Sequence, residues 1–252
     1  MQMRIIKKIF CTISLMLIFS AISAVQLQAQ TANEFFMLGN NAYKSGDYKK
    51  AVECYESAIE QKLDSAELHY NLANALSKLD RKGEALLNYK RAIFNSPRMR
   101  EAVANLQMFA KDNSLDDGFG NFATPLIAEL SDTEWTTIAF IAFWGAVLMF
   151  FIPPLFARRT TATIFIVILF VAIFAVSVFS ISNWKAYENS AVSIKQDVPL
   201  RLSPTPDAPV SSIIAEGQTA SIEARHGDYI YVETQNGKRG WSSIKDFIPI
   251  VQ

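Results

Sequence analysis

Residues 38–59 and 72–93 of this chain carry one pattern twice, 34 positions apart. Leu38-Gly39-Asn40 returns as Leu72-Ala73-Asn74, Ala51 as Ala85, Tyr55 as Tyr89, and Ala58-Ile59 as Ala92-Ile93. A fixed offset of this length marks a supersecondary unit that cannot bury its apolar face alone and so stacks on its neighbour. Small residues (Gly39, Ala51, Ala58 and their counterparts) fall where paired helices must cross closely. Large ones fall between them.

The period and the internal spacing, Leu-Gly, a later Ala, then Ala-x3-Tyr, resemble the tetratricopeptide repeat. Residues 32–111 are therefore expected to form two helix pairs and a capping helix. Lys44-Ser45-Gly46-Asp47 and Leu79-Asp80-Arg81-Lys82-Gly83 mark the turns inside the repeats, and Leu63-Asp64-Ser65 the turn between them. Asn95-Ser96-Pro97 ends the second repeat. Met99, Ala102, Val103, Leu106 and Phe109 then recur at helical spacing and predict a fifth helix.

The resemblance implies a face on the inner helices that grips another polypeptide. Here that face carries Phe36, Asn40, Tyr43, Lys44, Tyr70, Asn71, Asn74 and Lys78. Asn40 and Asn71 match two positions of the clamp with which some such domains hold a C-terminal carboxylate. The clamp's basic positions hold Phe36, Glu101 and Asn105 instead. Hydrogen bonding between neighbouring helices is the alternative role for the two asparagines.

Apolar stretches flank the repeats. Arg4, Lys7 and Lys8 precede an apolar run from Ile9 to about Ala24, with small and polar residues through Gln30. This is the order of a secretory signal, expected over residues 1–29. Residues 136–156 and 160–182 contain no charge, and each is long enough to span a bilayer. The only charges between Trp135 and Trp184 are Arg158 and Arg159, which the positive-inside rule places in the cytoplasm. Residues 112–134 carry six acidic and no basic side chains and are expected to form an external linker. Pro153-Pro154 would end or kink the first span.

Residues 188–252 have another texture. Short β-branched runs alternate with turn signals, notably His226-Gly227-Asp228 and Asn236-Gly237. Tyr229-Ile230-Tyr231-Val232 alternates as a half-buried strand should. Leu200-Arg201-Leu202-Ser203-Pro204, Glu216-Gly217 and Gly237-x-x-Gly240-Trp241 are similar to the bacterial SH3 fold in order and spacing. That likeness implies a ligand face using Arg201, Tyr229, Tyr231 and Trp241. The fold class expected is multidomain: all-α repeat hairpins, a two-helix transmembrane hairpin and a small all-β SH3-like barrel.

Taken in order, signal, repeats, acidic linker, hairpin and SH3-like domain resemble the BatE proteins of Bacteroides aerotolerance operons, a Bacteroidetes family. The resemblance implies a two-pass protein of the inner membrane with both large domains periplasmic. It also implies partners among membrane-anchored von Willebrand A-domain proteins and, indirectly, a MoxR-type ATPase.

Chemistry has little footing in the sequence. Lys and Arg balance Asp and Glu at 24 each, which gives no basic surface for nucleic acid. Beyond the signal only Cys54 remains, so an internal disulfide is excluded. His69 and His226 lie far apart and with Cys54 make a poor metal set. No nucleophile motif is present. No cofactor and no catalytic residue is expected. The remaining function classes are an adaptor acting through the repeats and a peptidoglycan-binding or wall-sensing protein acting through the SH3-like domain.

Overall fold

The computed structural model describes residues 31–115, 129–151 and 161–251. The expected signal, Pro153-Pro154, Arg158-Arg159 and most of the acidic linker lie outside the described residues. Those described fall into two compact bodies, divided after Asp80.

The first body holds three helices: α1 over 31–44, α2 over Tyr48–Glu60 and α3 over Ala66–Lys78. Their boundaries follow from local chemistry. Gly46 adopts φ +83° in the α1–α2 turn, a conformation that costs glycine nothing. Asp47 then caps α2 by accepting from Lys50 N, and Ser65 caps α3 by accepting from Leu68 N. At the crossing of α1 and α2, a Cβ on Gly39 would sit 2.5 Å from the Tyr55 ring. Ala51 and Ala58 on α2 are fully buried. Leu38 departs from its counterpart: it is 52% exposed while Leu72 is 2% exposed. Among the described residues, no helix precedes α1 to cover it.

The second body contains α4 (Lys82–Asn95), α5 (Arg100–Asn113), α6 (Asp132–Phe151), α7 (Thr161–Glu188) and a seven-stranded antiparallel sheet. Tyr89 and Phe109 join α4 to α5 with ring centroids 5.6 Å apart. α6 and α7 are long and apolar enough to cross a membrane. They pack closely, since a Cβ on Gly145 would meet the Phe170 ring at 2.6 Å. Their outer faces stay bare: Phe140 is 65% and Phe165 67% exposed. A soluble core helix would cover such residues, so these faces suit lipid. α7 also continues past the expected end at Ser182 to Glu188. Its last turns are held by protein, because Trp184 and Tyr187 are buried there.

The strands are β1 (Ser190–Ser193), β2 (Val198–Arg201), β3 (Val210–Ile214), β4 (Thr219–His226), β5 (Tyr229–Thr234), β6 (Arg239–Ser243) and β7 (Phe247–Pro249), in the order β3-β2-β6-β5-β4-β1-β7. Ala191, Val198, Leu200, Ile214, Ala220, Ile230, Val232 and Phe247 converge on one core. Two hairpins match their turn residues. Gly227 has φ +56° in the two-residue connection from β4 to β5, and Gly237 has φ +74° between β5 and β6. Gly237 N donates to Thr234 O, and Thr234 N to Lys238 O. Only the glycine takes positive φ there, so this is a turn closed by a left-handed glycine rather than a two-residue primed turn.

α4 is built into this second body at three points. Gly83 N donates to Glu216 Oε1 at 2.7 Å, which supplies the helix start with an acceptor that its own N-cap, Arg81, does not. Arg91 donates to the carbonyls of Ile250 and Pro249, each at 3.0 Å. The Tyr187 hydroxyl donates to Lys90 O at 3.0 Å. Nearby, Trp184 Nε1 donates to Leu130 O at 2.8 Å, and its ring lies edge-on to Phe94 at 6.2 Å.

Candidate functional site

The predicted gripping face lies wholly in the first body. α1 carries Phe36, Asn40, Tyr43 and Lys44, and α3 carries Tyr70, Asn71, Asn74 and Lys78, each set at helical spacing. The helices are joined at Asn40. Its Oδ1 accepts from Asn71 Nδ2 at 2.9 Å and from the Tyr55 hydroxyl at 2.8 Å, so one amide oxygen ties α1, α2 and α3 together. The two asparagines therefore hydrogen-bond neighbouring helices, and both lone pairs of that oxygen are used. Tyr55 was not among the predicted site residues, although its repetition as Tyr89 marked it as a packing residue. Burial, with Tyr43 and Cys54 adding to it, pushes the Tyr55 phenol up to about 12.

The aromatic members divide by role. Phe36 packs on Tyr55 at 6.0 Å and fills the seam. Tyr43 stands edge-on to Tyr48 at 5.3 Å. Its phenol is raised by burial and then by the neighbouring Tyr48 and Tyr70 hydroxyls, which places the Tyr43 and Tyr70 side chains in one electrostatic neighbourhood across α1 and α3. Both remain half-buried, while Lys44 and Lys78 are exposed. The strip thus offers half-buried aromatic rings and two exposed cations.

Family models match at this point of the chain, one described as a TPR repeat over residues 39–80 and one as a tetratricopeptide repeat over residues 66–95. These helices carry tetratricopeptide repeats. The chain is similar to "Protein STIP1 homolog" of Dictyostelium discoideum, with 41% identity over 69 residues. That stretch is 27% of this chain and 12% of the length of that protein. The repeat is a protein–protein interaction module, typically a non-enzymatic scaffold.

The second predicted face lies on the sheet. Arg201 pairs across the ladder with Trp241, and Trp241 with Tyr231, so three of the four predicted residues form one row on β2, β6 and β5. Tyr231 and Trp241 meet edge-to-face at 5.3 Å. Tyr229 is two residues along β5 on the same side. His226, read from sequence only as a turn residue, stands edge-on to Trp241 at 6.4 Å and joins the cluster. Arg201 Nη1 donates to Ala208 O at 2.7 Å, which holds its guanidinium against the β2–β3 connection.

Proposed function

We propose that the chain is a membrane-anchored envelope adaptor whose repeats hold a partner polypeptide and help to assemble an aerotolerance- or stress-related membrane complex. The observation that carries this is the strip of Tyr43, Tyr70, Asn71, Asn74, Lys44 and Lys78 on helices that match an interaction repeat. α6 and α7 supply the anchor. The resemblance to BatE proteins, together with the charge asymmetry around the hairpin, favours two passes through the inner membrane with repeats and sheet periplasmic. The partners that fit are membrane-anchored von Willebrand A-domain proteins and, through them, a MoxR-type ATPase.

Tyr43→Ala combined with Asn74→Ala tests the strip. Neither residue makes the Asn40 node, so the double variant should fold and lose its co-purifying partner from solubilised membranes. Retention of that partner would refute the assignment.

A second function is favoured by the Arg201–Trp241–Tyr231 row, which has the form of a stacking platform for peptidoglycan. Tyr231→Ala with Trp241→Ala tests it by binding to purified sacculi. Deleting the sheet is a poorer control, because it would also strip α4 of Glu216 and of the carbonyls that hold Arg91.

A further inference from the structure

α6 presents two faces. One is covered: Trp135, Ala139 and Ala142 are buried, and a Cβ on Gly145 would meet the Phe170 ring of α7. The other is bare. Ile141, Trp144, Leu148 and Phe151 follow at intervals of three, four and three residues, and each is exposed. That alternation is the seam along which one helix packs on another. Trp144 stands about 200° around the helix from Ala142, so α7 does not occupy both faces. The two are continuous at Phe143, which meets Trp144 edge-on at 5.5 Å and Phe174 of α7 at 5.9 Å.

Trp144 sets the bare face apart from an ordinary lipid-facing surface. It follows Thr136 by two helical turns, about 12 Å into a hydrocarbon layer about 30 Å thick. Its indole has one polar group, a donor. Among the described residues Nε1 has no acceptor, and the ring meets only Phe140 and Phe143. Tryptophan favours the headgroup layer, where acceptors are plentiful. At the depth of Trp144 lipid supplies none, so the N–H stays unpaired unless protein reaches it.

We infer that this face of α6 docks a membrane-spanning helix of a partner protein, one with an uncharged side-chain oxygen (Ser, Thr, Asn or Gln) level with Trp144. Such groups hydrogen-bond across helices inside a bilayer, whereas a carboxylate at that depth is costly. A second copy of this chain, inserted the same way, is a poor occupant. The hydroxyls of α7 nearest that level, Ser177 and Ser180, are fully buried and donate to the carbonyls of Ile173 and Val176. Thr137 of α6 lies about 10 Å shallower. The inference rests on α6 crossing the membrane. It deepens the adaptor reading by giving a membrane-anchored partner a second point of attachment besides the repeats.

The test places the photocrosslinker p-benzoylphenylalanine at Ile141 or Leu148 of the full chain in native membranes, with Phe165, exposed on α7, as the control position. Irradiation should join positions 141 and 148, but not 165, to one other protein. Sequencing of the joined peptide should return an apolar segment of about 20 residues with Ser, Thr, Asn or Gln within one turn of its centre. Trp144→Phe keeps a ring and removes the N–H. It should raise the concentration needed to hold the complex in mild detergent about three- to tenfold, the loss of one interhelical hydrogen bond. An adduct of twice the chain's mass would assign the face to a second copy and overturn the partner. Adducts to lipid alone, a captured segment without such an oxygen, or an unchanged complex in Trp144→Phe would overturn the site. Tyr43→Ala with Asn74→Ala reads the repeats separately. Loss of the partner there with no effect of Trp144→Phe refutes the α6 site alone, and the reverse pattern refutes the repeat strip alone. Release of the chain from membranes by alkaline extraction would refute the crossing on which the site rests.

Discussion

Gly39→Ala is the sharpest perturbation of the first body. In an isolated helix this change is favourable by about 1 kcal/mol, because alanine is the better helix former. Here the added methyl would lie 2.5 Å from Tyr55 Cε1 and 2.6 Å from Cδ1, about an ångström inside ordinary contact. The ring has little room to yield. Tyr55 is 1% exposed and its hydroxyl is held by Asn40. Overpacking of this kind costs about 1–3 kcal/mol, and displacing the hydroxyl from Asn40 adds about 0.5–1.5 kcal/mol. Against the propensity gain, a net loss of about 1–3 kcal/mol is expected. Two-state melting is not expected of a chain of two bodies, so hydrogen exchange of peptides covering α1 and α2 is the suitable assay. Exchange there should accelerate roughly 5- to 150-fold, while peptides of β5 and β6 stay unchanged. Adding Tyr55→Ala should reverse the sign, with Gly39→Ala now stabilising in the vacated space. Slower exchange in the single variant would refute the close crossing of α1 and α2, and equal effects in both backgrounds would refute Tyr55 as its cause.

Two further outcomes follow from specific contacts. Glu216→Ala should loosen the start of α4 by about 0.5–2 kcal/mol, the usual cost of a lost helix cap, read as faster exchange in residues 82–88 with α5 little changed. The Tyr55 phenol stays protonated in the folded chain up to about pH 12, while in the unfolded chain it ionises near 10. The folded state then binds more protons between those values, so its contribution to stability is complete below pH 10 and is lost as pH rises toward 12. Tyr55→Phe should flatten that part of the profile measured by exchange of α1 and α2.

Legibility in the sequence tracked the range of the interactions. Several helix boundaries in the repeats were written within a few residues: Gly46 with Asp47, Ser65 before α3, Asn95-Ser96-Pro97 after α4. The sheet was legible for the same reason, since alternation along Tyr229–Val232 and the glycines at 227 and 237 fix strands and turns locally. The Arg201–Trp241–Tyr231 row could be anticipated as a set because the strands impose their register. The mismatch between Leu38 and Leu72 could not, because the repeat pattern records which side chain is apolar but not whether a neighbouring helix covers it. The extension of α7 to Glu188 was hidden likewise: hydropathy ends at Ser182, and burial of Trp184 and Tyr187 by protein carries the helix on.

The seam around α4 left no periodic trace at all. Gly83 and Glu216 are 133 residues apart, and Arg91 lies 159 residues from Ile250. Such contacts are single polar pairs, each invisible beside the exposed charges that resemble it in sequence. One signal did exist. Gly83 is a glycine inside the first turn of a helix, where it costs about 1 kcal/mol relative to alanine. A Cβ at that position would sit 2.3 Å from Ser193 O and 2.8 Å from Ile194 Cα, so only glycine lets the helix start against the β1 backbone. The same residue then presents its amide to Glu216. α4 is thereby both the second helix of an interaction repeat and a structural member of the body that contains the sheet. The second repeat cannot be altered at Gly83 or Arg91 without disturbing the contacts of α4 with the sheet.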